Sequence, residues 1–221
     1  MSRLLFIVIG VGGTGSLLAR DLPKLLYKTN AQICLIDGDV IEEKNIIRQG
    51  FQKQDVGENK AIVLANKINS LYGTNCIVID EYATEHNLLA LCRKKKNMTP
   101  VIIGCVDNNA TRVMIENVFK QLENGIYIDS ANSEYDGNLF IVSKTDSIQK
   151  GMLRGESYQF DLDKHPNEIS CQEQVAKGNV QFLVTNAQMA VAILQHCTAL
   201  LSQQLKEGVQ VVKRFETVFY D

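Results

Sequence analysis

Short apolar runs alternate with longer amphipathic segments over the first part of the chain. The first run, residues 4–9 (LLFIVI), is continuously apolar and ends at glycines, as in a parallel strand that is buried on both faces. Similar runs follow at residues 33–37, 76–80, 101–106 and 125–131. Helical patterns separate them, at roughly residues 14–27, 57–71, 84–94 and 109–122. Strands that alternate with helices predict a doubly wound, Rossmann-like α/β fold, with a mostly parallel sheet and helices on both faces.

The pattern changes after the fifth strand. Residues 138–144 (NLFIVSK) predict a further strand, residues 180–205 a long C-terminal helix, and residues 209–220 a last strand, so we expect C-terminal antiparallel strands. Residues 145–178 are polar and weakly periodic, which predicts an excursion from the sheet as a crossover loop. We therefore expect one domain over residues 1–221.

Composition excludes several classes of protein. The chain has 221 residues, of which 45% are hydrophobic, enough to bury one sizeable core. Its net charge of −2 gives no sign of a nucleic-acid partner. No segment reaches the roughly 20 apolar residues that span a membrane, so we expect a cytoplasmic protein without a membrane partner.

The long helix at residues 180–205 carries more apolar surface than one face of a sheet needs. A helix of this kind favours association through the excess surface. We therefore expect a symmetric homodimer. A monomeric mass in light scattering at micromolar concentration would contradict this expectation.

The six cysteines include no C-x-x-C pair, so we expect no structural zinc. Most of them lie in apolar segments, where a cysteine behaves as a small hydrophobic residue. Cys171 differs, because its surroundings (NEISCQEQ) are polar.

A glycine-rich turn joins the first predicted strand to the first helix. Gly10, Gly12 and Gly15 fit the pattern G-x-G-x-x-G, which permits a tight turn and a close approach of the backbone to phosphate. Asp37 ends the second strand about 20 residues later, where a ribose-binding carboxylate is expected. Ser16 stands where a P-loop would need lysine. The turn predicts a nucleotide that is held by the backbone, and taken alone it favours a nicotinamide or flavin enzyme.

Three further polar stretches follow strands or begin helices: DGDVIEEKNIIRQ (37–49), DVGENKA (55–61) and DNNATR (107–112). In a doubly wound sheet such positions meet at the carboxyl edge, where ligands bind. Together they offer one nucleotide the side chains of Asp37, Asn45, Arg48, Gln49, Lys60, Asp107 and Asn108. Two cations and a carboxylate suit a triphosphate with Mg²⁺, whereas a dinucleotide bound by its pyrophosphate needs no such clamp. Taken singly, Lys60 has a plainer reading as a solvent-facing lysine at a helix start.

This ordered set of motifs resembles the ThiF/MoeB/HesA family, the adenylating relatives of ubiquitin-activating enzymes. The family pattern is G-x-G-G-x-G-S, D-x-D, N-x-x-R-Q, a later lysine, and D-N near an arginine. This chain has GVGGTGS, DGD, NIIRQ, Lys60 and DNNATR, in that order, over roughly residues 6–131. The stretch INSLYG (68–73) and the short chain also resemble, less specifically, the small ThiF-family proteins of PRTRC gene clusters.

The resemblance implies that the protein binds ATP and Mg²⁺. The nucleotide-binding residues that it implies are Gly10, Gly12, Gly13, Gly15, Asp37, Asp39, Asn45, Arg48, Gln49, Lys60, Asp107 and Asn108. Asp37 would bind the ribose, and Asn45, Arg48 and Lys60 the phosphates. Asp107 would hold Mg²⁺, which prefers oxygen ligands. The implied reaction is attack of a carboxylate on the α-phosphate, in which Arg48, Lys60 and Asp107 act by positioning and charge.

The implied partner is a small ubiquitin-like or sulfur-carrier protein whose C-terminal carboxylate is adenylated. In related enzymes a cysteine on a crossover loop then takes the acyl group as a thioester, and Cys171 is the candidate here. The alternative is a loop cysteine that packs on the sheet, and two neighbouring glutamates disfavour its thiolate. Many relatives also carry an N-terminal arginine that reaches the partner subunit's site. Here only Arg3 precedes the first strand, so either another chain supplies that arginine or the reaction proceeds without it.

Two other functions stay open. An NAD-dependent oxidoreductase explains the glycine turn and Asp37 but leaves NIIRQ, Lys60 and DNNATR without a role. A non-catalytic nucleotide-binding scaffold of the same fold would bind ATP without exchanging pyrophosphate. A thermal-shift comparison of Mg-ATP with NAD separates the adenylating enzyme from the oxidoreductase.

Overall fold

The computed structural model describes residues 3–160 and 182–221. Their strands are β1 (Arg3–Ile9), β2 (Gln32–Ile36), β3 (Ile77–Ile79), β4 (Met98–Gly104), β5 (Gly125–Asn132), β6 (Gly137–Thr145), β7 (Ile148–Lys150), β8 (Gly208–Val212) and β9 (Thr217–Tyr220). Their α-helices are α1 (Gly13–Leu25), α2 (Lys60–Tyr72), α3 (Glu85–Lys94), α4 (Asn109–Gln121), α5 (Arg154–Ser157) and α6 (Leu183–Leu201). Two short 3₁₀ turns, Glu43–Asn45 and Lys53–Asp55, precede α2.

The strands form one sheet in the order β3-β2-β1-β4-β5-β6-β8-β9, with β7 paired to β6. The first five strands are parallel, and β6, β8 and β9 continue the sheet in antiparallel pairing. The predicted fold class is therefore confirmed. The chain crosses from β1 to β2 on one side and later returns to β4 on the other side. This reversal opens a crevice at the carboxyl ends of β1 and β4, the usual ligand site of such sheets.

Alternate side chains of β1 feed two separate cores, because successive residues of a strand point to opposite faces. Phe6 and Val8 pack in one core with residues of α1, α2 and α6. Leu5, Ile7 and Ile9 pack in the other core with residues of α3 and α4. All five residues are buried, which explains why this strand is apolar throughout.

The C-terminal part departs from the sequence prediction in two places. The run at residues 209–220, predicted as one strand, is the hairpin of β8 and β9. Residues 213–216 between them form a turn, in which the Lys213 amide donates to the Glu216 carbonyl at 2.8 Å. The predicted excursion at residues 145–178 begins with β7 and α5, and Leu153 between them is buried. The remainder of the excursion, from residue 161, lies outside the described residues.

The long C-terminal helix is confirmed as α6, which packs against α1. Leu183, Val184 and Val191 on α6 remain exposed in the single chain. The homodimer predicted from this helix stays a prediction. Within the described residues, no helix has the length and apolar character required to cross a membrane.

A buried cluster of charges joins the parallel and antiparallel parts of the sheet. Asp129 of β5 is fully buried and pairs with Arg112 of α4 at 2.8 Å and with Arg154 of α5. Arg154 also donates to the Asn138 side chain at 2.6 Å and lies over the Phe140 ring. A buried charge is tolerated only when it is paired and hydrogen-bonded, and this carboxylate has two guanidinium partners.

We expect Asp129→Asn to lower the free energy of unfolding by about 3–5 kcal/mol, because it leaves two buried arginines without their counter-charge. The matched control is Asp21→Asn, which removes a more exposed carboxylate that also pairs with two cations, Arg20 and Lys24. Such an exposed cluster contributes about 0–1 kcal/mol. Urea unfolding measures both changes, and equal effects of the two substitutions would contradict this account.

Candidate nucleotide-binding site

A cavity of about 530 Å³ opens at the carboxyl edge of the sheet, beyond the ends of the neighbouring strands β1 and β4. It is lined by the ends of β1, β2 and β4 and by the starts of α1, α2 and α4. The structure brings together here nearly all of the predicted residues: Gly10, Gly12, Gly13, Asp37, Asp39, Asn45, Arg48, Gln49, Lys60, Asp107 and Asn108. Gly15 does not line the cavity, and Cys171 lies outside the described residues. The binding role of each residue stays a prediction.

The glycine turn is held by close backbone contacts. Gly10 has φ of +81°, a conformation that favours glycine, and its amide donates to the Ile36 carbonyl at 2.9 Å. A Cβ on Gly15 would lie 1.9 Å from the Gly10 carbonyl oxygen, so Gly15 lets α1 pack onto the turn. No side chain caps the start of α1, and its first turn carries no acidic residue. The N-terminus of α1 therefore offers amides and a positive dipole end to an anion in the cavity.

Asp37 connects the turn after β1 to the turn after β2. Its carboxylate accepts the Val11 amide at 2.7 Å on one oxygen and the Asp39 amide at 2.9 Å on the other. Burial raises the pKa of Asp37 to about 6, against the opposing effect of the Lys60 charge. A carboxylate has about four acceptor sites, so two remain for ribose hydroxyls.

Lys60 is buried, which rules out the plainer reading of a solvent-facing lysine. Its ammonium pairs with Asp39 at 2.7 Å, and Asp39 also accepts a hydrogen bond from the Tyr82 hydroxyl. Burial alone would lower the pKa of Lys60, but the charges of Asp37 and Asp39 outweigh it, and the pKa is raised. Lys60 is therefore a protonated cation at neutral pH.

The start of α2 places this lysine. Asn59 caps the helix by accepting the Ile62 amide at 3.0 Å. The same side chain donates to the carbonyls of Asp37 at 2.9 Å and Asp39 at 3.2 Å. One asparagine thus fixes Lys60 against the turn that follows β2, a capping role typical of this residue type.

The stretch NIIRQ begins at the last residue of the 3₁₀ turn Glu43–Asn45. Asn45 is buried, and its side-chain oxygen accepts the Glu42 amide at 2.9 Å, so it shapes the turn. Arg48 is half-buried and lines the cavity. Gln49 is buried beside the glycine turn, and its Oε1 has no hydrogen-bond partner among the described residues. A buried amide with an unsatisfied oxygen is costly to keep, which is typical of a functional position.

Asp107 and Asn108 follow β4 and have different surroundings. Asn108 caps α4, since its oxygen accepts the Thr111 amide at 2.8 Å. Asp107 is exposed at the open edge of the cavity. Its charge contributes to the raised pKa of Lys60, so the two groups are close enough to interact. Asp107 therefore presents a carboxylate beside the buried cation.

The cavity lining also includes residues that were not predicted as site residues, among them Tyr82, Arg112 and Asn132. Arg112 belongs to a recognised motif, but its guanidinium is held by Asp129, by the Ser130 carbonyl at 2.9 Å and by the Val106 carbonyl. The Arg112 guanidinium is therefore occupied by contacts within the protein. Asn132 ends β5 at the same edge as the predicted residues, so the rule that ligands bind beyond strand ends would have found it.

The five described cysteines are not activated thiols. Burial raises the pKa of Cys76, Cys105 and Cys197 to about 12 and that of Cys92 to about 11, and it also raises the pKa of Cys34. These thiols stay protonated at neutral pH, as expected of cysteines that pack as small hydrophobic residues. The thioester role predicted for Cys171 stays a prediction.

The fold and the site together define a doubly wound α/β protein with a glycine-rich turn at its switch point, where the cations Arg48 and Lys60 line one cavity. Residues 1–218 match the model of the ThiF family, so the chain belongs to that family, as the resemblance of its motifs predicted. No curated protein matches the chain by sequence.

Solved structures support the fold. PaaA is similar with a TM-score of 0.67 and 16% identity, over 100% of this chain and 64% of that one. MccB of E. coli with MccA-N7isoAsn is similar with a TM-score of 0.71 and 17% identity, over 99% and 64%. MccB with AMPCPP and MccA gives a TM-score of 0.71 and 14% identity, over 99% and 63%. This chain therefore spans less than two thirds of the length of these proteins.

We expect adenosine to bind more weakly below about pH 6, because protonation of Asp37 removes an acceptor for the ribose hydroxyls. If one proton must leave before binding, the Kd rises by up to about tenfold per pH unit below that pKa and is constant above it. Adenosine is a suitable probe because it does not titrate between pH 5 and 8. Calorimetric titration measures the profile.

The control for this pH profile is 2′,3′-dideoxyadenosine, which lacks both ribose hydroxyls and should show no change with pH. Parallel profiles for the two nucleosides would remove Asp37 from ribose recognition.

Proposed function

We propose that this chain is an ATP-dependent adenylating enzyme that activates the C-terminal carboxylate of a small ubiquitin-like or sulfur-carrier protein. The observation that carries the proposal is the convergence of Arg48, Lys60 and Asp107 on the cavity that the uncapped start of α1 also lines. Membership of the ThiF family supports it. So does the fold shared with MccB, whose structures contain AMPCPP, an ATP analogue, and MccA.

Different residues bind different parts of the nucleotide. Asp37 accepts the ribose hydroxyls, and the amides at the start of α1 face the phosphates. Arg48 and Lys60 hold phosphate oxygens. Asp39 is 44% exposed at its side chain, so a phosphate can approach Lys60 from the same open side. The two cations keep the chain of phosphates in one orientation, which is the main requirement of phosphoryl-type transfer.

The reaction forms one bond and breaks one. A carboxylate oxygen of the substrate bonds to the α-phosphorus, and the bond from that phosphorus to the oxygen bridging to the β-phosphate breaks. Pyrophosphate leaves with the electron pair, and Arg48 and Lys60 stabilise the charge that develops on it. No side chain acts as a nucleophile in this step.

Asp107 is the residue that we propose as a ligand of a magnesium ion. Among the described residues no group of three or more His, Cys, Asp or Glu side chains could hold a metal by itself. Mg²⁺ commonly binds through one or two carboxylates together with substrate phosphates and water, and a single exposed Asp107 fits that pattern. The ion would neutralise phosphate charge. Asp107 would hold it at the open edge, near the phosphate end of the cavity.

An NAD-dependent oxidoreductase is a weaker candidate. It uses the glycine turn and Asp37, but it gives no role to the buried Lys60 or to Arg48. Stabilisation by NAD and not by Mg-ATP in a thermal-shift measurement would favour it over the adenylating enzyme.

Asp107→Asn should reduce ATP–pyrophosphate exchange by about 10²–10³-fold, because it keeps the shape of the side chain and removes its charge. The fold should be unchanged, since Asp107 is exposed and the substitution opens no cavity. Exchange of labelled pyrophosphate into ATP is measured with Mg²⁺ and a carrier protein that supports exchange by the unsubstituted enzyme.

Asp80→Asn is the matched control for this measurement, since Asp80 is an exposed carboxylate that follows β3 and does not line the cavity. It should exchange at the normal rate. Normal exchange by Asp107→Asn would show the assignment of Asp107 to be wrong. If the unsubstituted protein binds ATP but exchanges no pyrophosphate with any carrier tested, a non-catalytic nucleotide-binding scaffold would be favoured.

Cys171 is proposed to accept the acyl group from the adenylate as a thioester. Cys171→Ala should then retain pyrophosphate exchange and lose the adduct with the carrier that DTT cleaves, because only the second step needs the thiol. Denaturing gels with and without DTT measure the adduct. Cys92→Ala is a suitable control, since that thiol has a raised pKa and lies away from the cavity lining. An adduct that persists in Cys171→Ala excludes this cysteine.

A further inference from the structure

A line of hydrogen-bonded side chains runs behind the cavity and ends at a residue that does not line it. Asn186, in the first turn of α6, is fully buried. Its Oδ1 accepts Nδ2 of Asn132 at 3.0 Å, and its Nδ2 donates to the backbone carbonyl of Arg48 at 3.5 Å. Asn132 in turn accepts the Thr14 hydroxyl at 3.4 Å.

This line connects three parts of the cavity wall. Thr14 lies in the first turn of α1, Asn132 ends β5, and Arg48 follows the 3₁₀ turn. These elements are distant in sequence, and each contributes a lining residue. Asn186 is the member that stands behind the wall and is bonded to two of the three. Its position on a long, packed helix makes it a fixed support for them.

The hydrogen bond from Asn186 to the Arg48 carbonyl is the contact through which Asn186 can affect the proposed phosphate site. Within the stretch NIIRQ the amides of Arg48 and Gln49 donate to the Asn45 carbonyl at 3.2 and 2.9 Å, which are local bonds. The next amide, that of Gly50, donates to the Ser16 hydroxyl of α1 at 2.8 Å. Asn186 ties the segment to a second helix, two residues before that bond.

Both polar atoms of the Asn186 amide are used, as buried polar groups require. An apolar side chain at this position would leave the Arg48 carbonyl without that donor. The segment would keep its local bonds and the bond to Ser16, and would lose the one that Asn186 supplies. Because the Arg48 side chain reaches the cavity from this segment, a shift of its backbone moves the guanidinium relative to the phosphates.

We infer that Asn186 is a positioning residue for Arg48: it makes no contact with the nucleotide and sets where the Arg48 guanidinium meets the phosphates. The inference rests on the proposed function, since it assumes that the cavity binds ATP. It assigns a role in binding to a buried residue of α6 that lies well outside the sequence motifs of the site.

The test compares binding of ATP and adenosine by calorimetry, because adenosine lacks the phosphates that Arg48 is proposed to hold. Asn186→Leu keeps the four side-chain heavy atoms and their branching and removes the donor, and Asn186→Ala removes it with a smaller side chain. We expect both substitutions to weaken ATP binding by about tenfold, the effect of one hydrogen bond, and to leave adenosine binding unchanged.

The matched control is Thr185→Val. Thr185 is the neighbouring residue of α6, is equally buried, and donates to a backbone carbonyl, that of Glu134, at 2.6 Å. Thr185→Val therefore removes a comparable hydrogen bond that does not involve Arg48. We expect its ratio of ATP to adenosine affinity to match that of the unsubstituted protein.

A double-mutant cycle shows whether Asn186 acts through Arg48. Arg48→Ala should itself weaken ATP binding, and adding Asn186→Leu to it should cause no further loss, because the group being positioned is gone. A further tenfold loss in that background would overturn the inference. So would normal ATP binding by a folded Asn186 variant, an equal loss of ATP and adenosine binding, or unfolding of both Asn186 variants. If the unsubstituted protein does not bind ATP, the proposed function fails first and the inference fails with it.

Discussion

The carboxylate of Asp37 is the constraint on which the candidate nucleotide site depends. It accepts one amide from the glycine turn and one from the turn after β2, so a single carboxylate connects the two loops that begin the site. Its burial raises its pKa to about 6, which shows that the charge is held at a cost. Lys60 lowers that cost, and Lys60 is in turn placed by the Asn59 side chain bonded to the same turn. The position of the cation proposed for the phosphates thus depends on the residue proposed for the ribose.

Carboxylates hold cations in two ways in this protein. Asp129 is fully enclosed with Arg112 and Arg154, so nothing from solvent can replace it as their partner. Asp39 is partly open while its partner Lys60 is buried. The first arrangement joins elements of the fold. The second keeps a cation charged and oriented at the edge of a cavity, where an anion can reach it. The exposure of the carboxylate distinguishes a structural ion pair from one that can serve a ligand.

The sequence predicted the parallel part of the fold well because its strands are buried on both faces and therefore read as unbroken apolar runs, as in β1. It also brought the cavity residues together, since polar residues that follow parallel strands meet at one edge. What it missed depends on contacts between distant segments. Arg112 resembled a site residue, but its partner Asp129 lies 17 residues away on another element. The burial of Lys60 and the bond from Asn186 to Arg48 likewise arise only when the helices pack. The hairpin of β8 and β9 was read as one strand because its turn interrupts the apolar pattern for only a few residues.

The chemistry of the described cysteines has a practical consequence for labelling experiments. At neutral pH their raised pKa values leave only a minute fraction of each thiol as the reactive thiolate, and three of the five are also buried. An alkylating reagent should therefore modify them slowly while the protein remains folded. The native protein offers a low chemical background at these positions, and rapid incorporation of a thiol probe would report on the one cysteine that lies elsewhere in the chain.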